Sequence, residues 1–321
     1  MNKKPIFRLF VLTGLLLSCS AFWGCKEKSD EKKQTEEKVV SRLIVEFDEE
    51  RAFREVEDLI EFSPRDAGTR GANLAANHIL SRLTEFGIQA EMDTFEDNTP
   101  HGVKTFHNVV GKIPGTDGHW IILGSHFDTM SGIDNFQGAN DSGSSTGILL
   151  EMARILKNTQ PRTGIIFAFF DGEEAVAGYV QGDGLHGSRH MAQQLRNSGE
   201  RQFIKAMILM DMVGDRDLNI TVPQNGTAEL KKVLLHSANT VGLRDYVALM
   251  TTDITDDHKP FLEVGIPAID LIDFRFGSAP GLNDYWHTEN DRMEHISAES
   301  LKITATIVLE MVRNLAFETD R

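Results

Sequence analysis

Four predominantly apolar runs, each followed by acidic or histidine residues, constrain this chain more than anything else in it. They are Trp120-Ile121-Ile122-Leu123-Gly124, Gly164 to Phe170, Ala206 to Met210 and Ile266 to Ile272. A strand with one wet face alternates apolar and polar residues. A strand that is apolar at every position needs cover on both faces, as in a mostly parallel sheet between layers of helices. Helical spacing fills the intervals, at 143–157, 186–197 and 227–241, with a last helix at 298–317. Upstream, 48–62 and 71–87 read as amphipathic helices and 88–95 and 104–113 as half-buried strands. Pro114-Gly115 breaks the second strand. This alternation predicts a three-layer α/β domain. No internal repeat or second-domain boundary shows, so residues 47–321 read as one domain.

The first 46 residues read differently. Lys3, Lys4 and Arg8 precede an apolar run from Leu9 to Leu17, and the chain's two cysteines, Cys19 and Cys25, follow. A positive segment, a short apolar core and a nearby cysteine form a pattern that resembles a bacterial lipoprotein signal over 1–25. Either cysteine fits as the lipidated residue. The expectation is an exported protein, lipid-anchored in the bacterial cell envelope or periplasm, or alternatively secreted. Residues 26–46 are almost wholly polar and read as a flexible tether. With 33 Lys and Arg against 48 Asp and Glu, the formal net charge is −15. No basic stripe appears, so nucleic acid is excluded as a partner and the membrane enters only through the anchor. A monomer is expected. Beyond Cys25 there is no thiol, so any metal must take oxygen and imidazole ligands.

The chemistry lies where the apolar runs stop. After the first come Ser125-His126-Phe127-Asp128, after the second Asp171-Gly172-Glu173-Glu174, and after the third Asp211. The fourth leads through a longer loop to Trp286-His287. Ligands of open α/β sheets bind at the carboxyl ends of the strands, which would gather these residues together with Asp141. So many carboxylates cannot share a cleft as bare charges, since each raises the next one's pKa. A divalent cation resolves the conflict, and the mixed imidazole and carboxylate set suits zinc better than manganese or cobalt. His126 is placed to bind metal, with Asp128 fixing its tautomer from behind. Glu173 and Glu174 are neighbours that point differently, so one can bind metal while the other moves protons.

Together these residues resemble the clan MH zinc peptidases, which include bacterial secreted aminopeptidases and glutaminyl cyclases. The similarity runs from Pro64-Arg65-Asp66-Ala67-Gly68-Thr69-Arg70 to the last helix. It implies a three-layer α/β/α sandwich around a mostly parallel, mixed central sheet. It also implies metal ligation by His126, Asp141, Glu174, Asp211 and His287, with Glu173 as the catalytic carboxylate. The aminopeptidases resembled hold two zinc ions bridged at Asp141, and the animal-type cyclases hold one, on Asp141, Glu174 and His287.

Local features lean towards the glutaminyl cyclase branch. Asp183 to His190 resembles the cyclase stretch after the double glutamate. Asp256, in Asp256-Asp257-His258-Lys259-Pro260-Phe261-Leu262, matches an aspartate that cyclases link to Glu173 and Asp211 in a carboxylate chain. Trp286 matches the tryptophan that walls the glutamine pocket. Tyr179 and Asp270 stand where animal-type cyclases carry Trp and His. The resemblance therefore implies conversion of N-terminal glutamine of peptides to pyroglutamate, with ammonia released. The alternative it leaves open is a di-zinc aminopeptidase. Either way, peptide or protein N-termini are the substrate.

Overall fold

The computed structural model describes residues 42–178, 180 and 182–318. The signal-like segment with Cys19 and Cys25, residues 26–41 of the tether, and Tyr179 lie outside the described residues. Residues 42–46, inside the stretch read as tether, form a helical turn, α1, and Leu43 is buried in the main core.

The elements that follow are α2 (Glu49–Ile60), α3 (Arg70–Glu85), β1 (Gln89–Thr99), β2 (Gly102–Ile113), β3 (Trp120–His126), α4 (Ser145–Leu156) and β4 (Gly164–Phe170). Then come α5 (His186–Ser198), β5 (Ile204–Asp211), β6 (Ile220–Val222), α6 (Ala228–Thr240), β7 (Val247–Leu249), α7 (His258–Glu263), β8 (Ala268–Ile272) and α8 (Ala298–Val312). Side chains start several helices. Asp48 accepts from Arg51 N–H, Thr69 from Ala72 and Ser297 from Ser300, each meeting an amide that the first turn leaves unpaired.

Eight strands form one sheet in the order β1-β2-β4-β3-β5-β8-β6-β7. The β4-β3-β5-β8 centre is parallel, and the β1-β2 hairpin joins antiparallel at the β4 edge. All four apolar runs are strands of this centre. Their side chains alternate between two cores, as strand geometry dictates. In β4, Ile165, Phe167 and Phe169 face the larger core under α2, α3, α4, α6 and α8, while Ile166, Ala168 and Phe170 face the smaller one under α5 and α7. In β5, Ile208 and Met210 face the first and Met207 and Leu209 the second. The expected three-layer sandwich with a mostly parallel, mixed sheet is what forms. Among the described residues no helix is long and apolar enough to cross a membrane.

Candidate metal and catalytic site

The charged residues at the strand ends converge because parallel strands finish on one edge. His126 ends β3, fully buried. After β4 the chain turns through Asp171-Gly172. Gly172 has φ +73°, and a Cβ there would lie 2.5 Å from the Phe106 ring, so no other residue fits the turn. Asp171 stays with the sheet, its Oδ2 accepting from His107 N–H at 2.8 Å. The turn then presents Glu173 and Glu174. Asp128 holds both by their backbone, accepting from Glu173 N–H and Glu174 N–H at 3.1 Å each. The spacing of the two residues predicts that Asp128 orients His126. Its Oδ1 also lies 3.6 Å from His126 Nδ1, longer than a hydrogen bond but within ion-pair range, so the carboxylate faces the ring while its oxygens accept from the two amides.

Asp141 arrives on a tight turn between β3 and α4. Gly138 opens it at φ +58°, where a Cβ would meet Asp141 O at 2.5 Å, and the Asp141–Ser142 peptide is cis. Two residues to which the sequence assigns no part in the site hold this turn. Asp291 accepts from Asn140 N–H at 2.7 Å and Asp141 N–H at 2.9 Å. Arg65, fully buried, donates to the carbonyls of Phe127, Gln137 and Gly138 at 2.7, 2.8 and 3.0 Å. The turn is thereby fixed from both sides.

Two triads result, and Asp141 belongs to both. His126 Nε2 lies 3.2 Å from Asp141 Oδ1 and 3.2 Å from Asp211 Oδ1. His287 Nε2 lies 3.0 Å from Glu174 Oε1 and 3.4 Å from Asp141 Oδ2. Each triad offers three ligand atoms within 4.8 Å of one another. Asp141 Oδ2 is buried and has no hydrogen-bond partner, as does His126 Nδ1. A buried, unpaired carboxylate oxygen facing an imidazole and a second carboxylate fits a cation, and the mixed N/O set fits zinc. His287 itself sits at φ +53°, strain that its neighbours must hold.

Charge in the site follows burial first. Burial, then the Asp141 charge, raises Glu174 to about 7. Burial and the Glu174 charge lift Glu173 well above the ordinary glutamate value. At His287 burial opposes protonation, but Asp141 and Glu174 outweigh it and raise the ring to about 10. Asp256, expected in the catalytic chain, is buried behind Asp211, and burial with the Asp211 charge raises it well above normal. Asp270 adjoins it, with Oδ2 3.8 Å from His258 Nδ1, and is raised by burial and Asp256. Buried, mutually repelling carboxyls of this kind are protonated in part, which keeps the wall behind Asp211 from being a block of bare charge. Asp257, raised to about 7 by burial, belongs to the same group and was not singled out from sequence.

A cavity of about 790 Å³ opens onto the site, lined by Asp141, Glu173, Glu174, Asp211, Asp256, Trp286 and His287 among others. Trp286 stacks on the His287 ring with centroids 4.1 Å apart, and Phe274 tilts against Trp286 at 5.1 Å. An aromatic wall thus flanks one triad and Glu173. Seven of the ten expected site residues within the described chain therefore border one cleft. His126, Asp128 and Asp270 lie behind its surface.

Comparison with known proteins fits this arrangement. The description "Peptidase family M28" matches residues 108–312. The glutaminyl-peptide cyclotransferase of Boiga irregularis is 30% identical over 297 residues, covering 78% of this chain and 78% of its own. That of Drosophila melanogaster is 27% identical over 273 residues, covering 76% and 75%. Among solved structures, an Acidobacteriales bacterium glutaminyl cyclase has a TM-score of 0.79 at 35% identity, covering 84% of this chain and 94% of the other. A Zn-dependent exopeptidase from Parabacteroides distasonis has a TM-score of 0.73 at 27% identity, covering 84% and 99%. By its matched span, its relatives and its paired triads at the strand ends, the chain belongs to peptidase family M28, on the glutaminyl-peptide cyclotransferase branch.

Proposed function

We propose that this chain is a zinc-dependent glutaminyl-peptide cyclotransferase, converting N-terminal glutamine of peptides to pyroglutamate with release of ammonia. One observation carries the choice. The Asp141, Glu174 and His287 triad lines the cavity whole, whereas His126 of the other triad is fully buried and does not reach it. A single ion on Asp141, Glu174 and His287 is therefore the reading adopted.

Glu173 belongs to neither triad and lines the cavity, and burial with the Glu174 charge raises its pKa, which strengthens it as a proton acceptor once ionised. The substrate's α-amine nitrogen forms a bond to its own side-chain amide carbon. Glu173 takes a proton from that amine and delivers it to the departing amide nitrogen as the old C–N bond breaks, so ammonia leaves. Zinc, when bound, supplies Lewis-acid polarisation of the amide carbonyl. Trp286 holds the glutamine side chain in the folded-back conformer and excludes water, which favours the internal amine over hydrolysis. Asp211 and Asp256 support Glu173 from behind through the partly protonated carboxyl group.

The di-zinc aminopeptidase reading keeps one observation in its favour: His126, Asp141 and Asp211 also offer ligand atoms within 4.8 Å. We further propose a monomer, exported and held by lipid at Cys19 or Cys25. Its support is the positive-then-apolar pattern before those cysteines. The test is a paired assay on the zinc-loaded chain: ammonia from a Gln-initiated peptide and free amino acid from a Leu-initiated one. Ammonia without residue removal is expected. Residue removal without ammonia overturns the reading.

A further inference from the structure

Two basic side chains line the same cavity, although the chain as a whole is strongly acidic. They are Arg189 of α5 and Lys259 of α7. Both are half-buried, whereas the acidic residues of the outer wall, Asp253 and Glu263, are exposed. Charges screened by protein on one side act on a bound ligand more strongly than charges immersed in salt water. Arg189 is already engaged, donating to Gly184 O at 2.6 Å and lying 3.8 Å from Asp97 Oδ2. Lys259 differs. Among the described residues its ammonium makes one long hydrogen bond, 3.4 Å to Thr255 Oγ1, and no ion pair.

The position of Lys259 gives this charge a use. It follows Asp256, Asp257 and His258 directly, so its backbone is anchored at the catalytic wall while its side chain lines the open space beside Glu173 and Trp286. A peptide whose N-terminal glutamine is seated at Glu173 must leave through that space. We infer that Lys259 selects peptides bearing a carboxylate shortly after the N-terminal glutamine. This rests on the cyclase reading of the site. The carboxylate has two sources, an Asp or Glu side chain, or the free C-terminus of a very short peptide.

The test uses the zinc-loaded full chain and four peptides: Gln-Glu-Ala amide, Gln-Ala-Ala free acid, Gln-Ala-Ala amide and Gln-Lys-Ala amide. Ammonia release gives kcat/KM for each. The wild-type chain should favour the carboxylate-bearing peptides over the neutral amide by about three- to fivefold, carried in KM, as a half-screened ion pair supplies. Preference for Gln-Glu-Ala amide alone assigns the side-chain source, and preference for the free acid alone assigns the C-terminus. Lys259→Met should bring the ratio close to one, and Lys259→Glu should invert it towards Gln-Lys-Ala amide. Because each result is a ratio within one protein, loss of folded material does not mimic it. A wild-type ratio of one, or a ratio unchanged in both variants, overturns the inference while leaving the cyclase reading standing. No ammonia from any peptide overturns both.

Discussion

Replacing Glu173 by Gln separates the proton carrier from the metal ligands. Gln is nearly isosteric, and its backbone N–H still reaches Asp128 Oδ1, so Glu174 and the triad keep their positions. Zinc content should stay at the wild-type value. Cyclisation should fall by about 10²- to 10⁴-fold, the usual worth of a positioned general base. At 1.36 kcal/mol per decade that is about 3–5 kcal/mol of transition-state stabilisation. Stability should move the other way. Burial and Glu174 raise the folded pKa of Glu173 above its ordinary 4.5. The unfolded chain then loses this proton first, so Glu173 costs stability once pH exceeds about 4.5, increasingly until the folded pKa is reached. Gln carries no such cost. The metal-free Glu173→Gln chain should therefore melt above metal-free wild type at pH 7, with the gap closing below pH 4.5. The assays are ammonia release, bound zinc per chain, and thermal melts across pH. Activity retained within tenfold, with zinc bound, would refute Glu173 as the base. A lower melting point at neutral pH would refute the burial argument.

Three further outcomes follow. Asp291→Ala removes the acceptor for the amides of Asn140 and Asp141. Zinc affinity should drop by about 10- to 100-fold by chelator competition, the usual effect of losing a group that orients a ligand. Gly172→Ala puts a methyl at φ +73° against the Phe106 ring, and denaturant unfolding should show a loss of about 1–3 kcal/mol or more. Trp286→Ala removes the ring stacked beside His287, and KM for Gln-initiated peptides should rise about fivefold or more, with zinc retained.

How far the sequence spoke depends on range. The four apolar runs carry their own evidence of burial on both faces, so the sheet's centre and its functional edge were readable. The knot Asp171-Gly172-Glu173-Glu174 was legible as a site because three carboxylates at the end of a buried strand demand a reason. Strands β6 and β7 were missed, since three residues are too few for any periodicity to register. Helix α7 was missed because a six-residue helix with Pro260 inside it looks like loop. Asp291 and Arg65 were invisible as parts of the site for another reason. Asp291 sits in a run of charged residues that resembles solvent-facing surface, and its partners lie 150 residues away. Asp128 was legible as a neighbour of His126, but its hydrogen bonds to the Glu173 and Glu174 amides were not, because spacing shows which way a side chain faces and not which amides reach it.

The most direct test of the central claim follows the two nitrogens of one substrate. A Gln-initiated peptide carrying nitrogen-15 only at its α-amine is turned over by the zinc-loaded chain, and the products are read by mass spectrometry and NMR. Intramolecular aminolysis predicts unlabelled ammonia and a full-length peptide with the label retained in its pyroglutamyl ring. Labelled free glutamine beside a shortened peptide would contradict it.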